Sequence, residues 1–112
     1  MFDPPSETAL CKDYSAITEL RASDPGAVAR AWESRETRPM IRGNGRLMIV
    51  AADHPARGAL AVGSRSTAMN SRTDLLDRLR AALADPGVDG VLATADILDD
   101  LVLLGALEDK VV

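Results

Sequence analysis

At 112 residues, with 46% hydrophobic and 27% charged side chains, the chain has the composition of a globular domain, not of a collagenous, low-complexity or disordered one. Its 17 acidic against 13 basic residues leave a net charge of -4, which argues against a nucleic-acid surface. Cys11, the single cysteine, builds neither an internal disulfide nor a thiolate metal site, and Met1-Phe2-Asp3-Pro4-Pro5 lacks the basic-then-apolar form of a secretory signal. No apolar run approaches the ~18 residues that suggest a membrane span. The expectation is a cytoplasmic protein with no membrane or nucleic-acid partner.

In chain order, residues 1 to about 12 read as a lead-in, followed by a helical segment around Ile17 and Leu20. Ser23-Asp24-Pro25 is a start signal for a second short helix through Ala27-Val28-Ala29-Arg30-Ala31-Trp32. Glu33 to Gly45 is a polar connector, and Gly43-Asn44-Gly45 reads as a turn because a dinucleotide-binding glycine loop follows its strand instead of preceding it. Leu47 to Ala52 is an apolar strand that ends in Asp53-His54 and opens into a long loop to Asn70.

Ser71 followed by Asp74 marks the next helix start, with Leu75, Leu76, Leu79, Ala82 and Leu83 on one face and Arg72, Asp77, Arg78 and Arg80 toward water. Asp85-Pro86-Gly87 ends that helix. Val88 to Thr94 forms a second strand, a helix from about Asp96 to Leu107 follows, and Val111-Val112 begins a third strand. Asp99-Asp100 and Glu108-Asp109 read as solvated helix charges, and Trp32 and the methionines as packing contacts.

Alternating strands and helices imply a parallel sheet with right-handed crossovers, in an open doubly wound sheet or a (β/α)8 barrel. The expected class is α/β: the N-terminal portion of a TIM barrel, about two βα units and the start of a third strand, preceded by two short helices. Residues 1–45 would be the lead-in and 46–112 the first, truncated part of the barrel. A full barrel takes about 250 residues, so such a piece would be stable only by association.

The stretch Leu47-Met48-Ile49-Val50-Ala51-Ala52-Asp53-His54-Pro55-Ala56-Arg57-Gly58 resembles the first strand and loop of class I aldolases of the DeoC/DhnA type. Together with Pro86-Gly87-Val88-Asp89-Gly90-Val91-Leu92 and Leu104-Gly105-Ala106-Leu107, it is similar to an actinobacterial branch of that family found with inositol catabolism genes. The resemblance implies Schiff-base aldol chemistry on a small sugar or sugar phosphate, with the catalytic lysine on a late strand beyond this chain. Neither Lys12, in the lead-in, nor Lys110, just before a strand, suits that role, and Lys110 is accounted for by the helix dipole.

The resemblance makes Asp53 a contributing acid. His54 follows as a substrate-binding or proton-shuttling group, its ordinary pKa lying near neutrality. Arg57 and Arg65 are candidates for an anionic substrate group because guanidinium forks pair with phosphate or carboxylate. Asp96 and Thr94 follow the second strand and serve either substrate or the cap of the next helix. No cofactor or metal site is expected, since one histidine and scattered carboxylates provide no ligand spacing. A non-catalytic sugar-binding barrel and a small α/β interaction domain are the alternatives, and association with copies of itself stays open.

Overall fold

Ser71 starts the longest helix, where its Oγ accepts a hydrogen bond from the Asp74 amide at 3.2 Å and satisfies one of the unpaired first-turn donors. That helix is one of six regular elements in the structure, a computed structural model that describes residues 14–66 and 71–112, without the side chains of Ala56 and Arg57. In order they are α1 (Ser15–Ser23), α2 (Ala27–Ser34), β1 (Ile49–Ala51), α3 (Arg72–Leu83), β2 (Gly90–Leu92) and α4 (Ala95–Leu103). A 3-10 turn at His54–Arg57 follows β1. The lead-in before Tyr14, with Cys11 and Lys12, lies outside the described residues.

The two strands pair in parallel, with Ile49 opposite Gly90, Val50 opposite Val91 and Ala51 opposite Leu92. Because side chains alternate along a strand, Val50 and Val91 share one face and Ile49, Ala51 and Leu92 the other. The first face is covered. Val91 is buried among Leu76, Leu79 and Leu83 of α3, Ile97 and Leu101 of α4, and Leu104 and Leu107 beyond it, with Val50 packed against the same core. The second face is not: Ile49 is 37% and Leu92 54% exposed.

Beyond β2, Val111 makes a single parallel bridge to Gly90. The Val91 amide donates to the Val111 carbonyl at 2.9 Å and the Val111 amide to the Asp89 carbonyl at 2.8 Å. Glycine at position 90 is required by this approach, since a Cβ there would lie 2.1 Å from the Val111 carbonyl oxygen.

Both strands are shorter than their apolar runs. Met48 and Asp89 mark the boundary at one end: the Met48 carbonyl accepts from the amides of Asp89 and Gly90, while the Met48 amide turns to the Asp89 carboxylate at 2.7 Å. The last helix stops at Leu103 instead of Leu107 because Gly105 takes a left-handed conformation, φ 74°. Gly26, not Ser23 or Asp24, precedes α2, and the Asp24 carboxylate is engaged by Arg30.

The resulting architecture corrects the barrel expectation. The described residues form a small α/β unit of four helices and a two-stranded parallel sheet, in which no portion of a TIM barrel is evident. Two three-residue strands define neither the tilt nor the stagger that closes a barrel, and the third strand amounts to one bridge at Val111.

Candidate functional site

The carboxyl ends of parallel strands are where open α/β sheets place ligand-binding groups, and the register fixes which residues meet there. Ala51 lies opposite Leu92, so Asp53 and Thr94 stand at equivalent positions two residues past each strand. Asp53 and His54 are both half-buried. Asp53 precedes the 3-10 turn without a capping hydrogen bond from its side chain, and the His54 carbonyl accepts from the Ala59 amide at 3.0 Å. Gly58, with φ 74°, closes the turn.

Arg57 is the last residue of the turn, and its side chain lies outside the described part of the structure. Arg65 is exposed on a tight hairpin, where its amide donates to the Val62 carbonyl at 3.0 Å and its carbonyl accepts from the Val62 amide at 2.9 Å. It stands on the loop, away from the strand ends in sequence, whereas Asp53, His54, Thr94 and Asp96 follow the strands directly.

Asp96 belongs to an ionic network that ties three helices together. The Thr94 hydroxyl donates to its carboxylate at 2.6 Å and Arg72 adds a 2.5 Å ion pair; together, Thr94 first, they hold its pKa down to about 2. The second Arg72 nitrogen pairs with Asp100 at 2.6 Å, and Arg21 of α1 pairs with the other Asp100 oxygen at 2.6 Å. Asp100, only 5% exposed, is therefore bracketed by arginines from α1 and α3. Trp32 of α2 joins the group through its indole N–H, which donates to Asp99 at 2.8 Å.

The sequence pattern leaves Arg72 and Asp100 toward solvent and does not disclose this network. The available signal was position. Asp100 lies three residues after Ile97 and next to Leu101, on the inward side of α4, where a carboxylate requires partners.

Lys110 is likewise committed: its ammonium donates to the carbonyls of Val88 at 2.5 Å and Asp85 at 3.3 Å, fastening the segment after α4 to the end of α3. An open groove of about 560 Å³ lies beside it, lined in part by Arg80, Leu83, Leu104 and Glu108. Among the described residues no group of three or more His, Cys, Asp or Glu side chains is placed to hold a metal ion. No helix among them is long and apolar enough to cross a membrane.

Fold and site together define a small α/β unit whose parallel sheet carries polar groups at its carboxyl ends and one bare apolar face. Residues 45–112 match the model of the Cgl0159-like family, and the chain belongs to that family. It is similar to the crystal structure of Cgl0159 from Corynebacterium glutamicum, with 53% identity and a TM-score of 0.83 over 88% of this chain. The chain spans 33% of that solved protein. No curated protein matches.

These matches correct the resemblance to DeoC/DhnA-type aldolases, and with it the aldolase, lyase and inositol-catabolism assignments: both matches are to Cgl0159, and neither is to that aldolase family. The physical reason is that an apolar strand ending in Asp-His is a general way for a parallel sheet to present polar groups. It does not specify a reaction.

Proposed function

We propose that this chain is an α/β assembly domain. The bare face of its sheet packs against polypeptide equivalent to the part of Cgl0159 that the match leaves uncovered. One observation carries the reading: Ile49 and Leu92 are 37% and 54% exposed on a parallel sheet, and parallel sheets are normally covered on both faces. The open edge of β1 supports it. With Val50 turned toward β2, Ile49 and Ala51 direct their backbone groups outward, and they find no backbone partner among the described residues. The length of the solved relative supplies the covering polypeptide.

The carboxyl ends of the strands favour a second role within the same assembly, the binding of a small sugar or sugar phosphate in the cytoplasm. Asp53 and Thr94 at matched positions offer an acceptor and a hydroxyl, and His54 adds a group able to donate or accept.

The test is co-expression of this chain, as Leu92→Cys in a Cys11→Ser background, with the uncovered part of the Corynebacterium glutamicum protein. Co-purification with strong protection of Cys at position 92 from a maleimide is the expected result. A chain that purifies alone, or a complex that leaves the thiol fully reactive, overturns the reading.

A further inference from the structure

We infer that the connector between α2 and β1 is a preformed docking ledge whose apolar side chains Met40, Ile41 and Met48 are covered by the same polypeptide that covers the sheet. The inference rests on the assembly reading above and names a second part of its interface. The three side chains are 62%, 54% and 58% exposed. Single exposed apolar residues are ordinary, but these stand on a segment that is fastened along its length.

Arg35 donates to the carbonyls of Leu107 and Lys110, both at 3.0 Å. The Glu36 amide donates to the Glu108 carboxylate at 2.6 Å, and the Asp109 amide returns a bond to the Glu36 carbonyl at 2.8 Å. Arg42 pairs with Asp109.

The central fastening is the ion pair of Arg38 and Asp89 at 2.8 Å, in which the Arg38 side chain is only 3% exposed. The same guanidinium donates to the Met40 carbonyl at 3.4 Å, and the second Asp89 oxygen accepts from the Met48 amide at 2.7 Å. Both methionine backbones thus hang on one Arg–Asp pair, which brings Met40 and Met48 to the same end of the sheet.

Burying an arginine to order a connector whose apolar side chains face water gives little to an isolated domain. It is what a binding surface requires, because a segment ordered in advance loses less freedom on association. Methionine, unbranched and polarizable, adapts to an irregular partner surface.

The occupant follows from continuity and length. Met48 immediately precedes β1, so the ledge leads into the strand whose outer edge is open, and the solved relative carries two thirds of its chain beyond the matched part, 33% being covered. Polypeptide of that kind, rather than a second copy, is the partner.

Hydrogen peroxide oxidation read by mass spectrometry tests this on the unsubstituted chain, alone and co-expressed with the uncovered part of Cgl0159. Met40 and Met48 should oxidise at the rate of exposed methionine in the isolated chain and at least tenfold more slowly in the complex. The triple variant M40S/I41S/M48S, checked for retained helix by circular dichroism, should co-purify at least tenfold less. A complex that shields position 92 but leaves both methionines oxidising at the isolated rate overturns the ledge and leaves the sheet interface standing. Absence of any complex overturns both. Protection in the isolated chain at the mass of a dimer assigns the ledge to a second copy and overturns the inference.

Discussion

Asp100→Asn is the sharpest probe of how the helices are held. The substitution keeps shape and removes the charge that Arg21 and Arg72 approach at 2.6 Å from α1 and α3. Removing one member of a buried ion pair costs about 3–5 kcal/mol. The two arginines are 33% and 46% exposed, however, and each keeps a second carboxylate within reach, Asp99 at 3.5 Å and Asp96 at 2.5 Å. Water and these neighbours offset part of the loss, leaving an expected destabilisation of about 2 kcal/mol.

With a urea slope of about 1–2 kcal/mol per molar for a small domain, the midpoint should fall by about 1–2 M. Trp32, hydrogen-bonded to the adjacent Asp99, is a built-in fluorescence reporter. The control is Arg78→Gln, which breaks an ion pair with Asp74 whose arginine is 76% exposed and should cost less than about 0.5 kcal/mol. If Asp100→Asn is as mild as the control, the bracketed carboxylate is not what joins α1 and α3 to α4.

Gly90→Ala drives a Cβ to within 2.1 Å of the Val111 carbonyl oxygen, so it should release the Val111 bridge and cost about 2 kcal/mol or more, read as lost amide protection at Val91 and Val111. Leu101→Ala, at a side chain with no exposure, should cost about 2–5 kcal/mol in the same urea assay. Acid should weaken the Asp96 ties in a defined window. Its folded pKa is about 2 against an ordinary 3.8, so the stabilisation is complete above about pH 4 and disappears as pH falls toward 2. With the carboxylate 54% exposed, solvent screening holds its worth to about 1 kcal/mol or less. Asp96→Asn should flatten that part of the acid stability profile, and an unchanged profile would show that Asp96 does not supply it.

The parts of the fold written in local chemistry were readable from the chain. Ser71 and Asp74 announce the α3 start, the leucines of α3 its buried face, and the apolar run before Asp53 the first strand. What the residues could not disclose was set by contacts distant in sequence. Strand lengths depend on where Met48 leaves the ladder for the Asp89 carboxylate, and the end of α4 on a left-handed Gly105. Charges that read as solvated, Arg72 and Asp100 among them, found one another only after three helices had packed.

The methionines gave the opposite error. Met40 and Met48 read as packing contacts, yet they face water at 62% and 58% exposure, while the side chain of a nearby arginine, Arg38, is buried. At the strand ends, Asp53 and His54 were legible because polar residues directly after an apolar strand stand out. Their placement beside Thr94 needed the register, and the Asp-His stretch, taken with residues 86–92 and 104–107, pointed to the wrong family.

Amide hydrogen exchange at Ile49 and Ala51 tests the central claim most directly, because their backbone groups line the open edge of β1 beside the bare face. In the isolated chain these amides should exchange rapidly. In the complex with the uncovered part of Cgl0159 they should slow at least a hundredfold, as the edge and face are covered. Equal, fast exchange in both states would contradict the account and leave the sheet face an ordinary solvent-exposed surface.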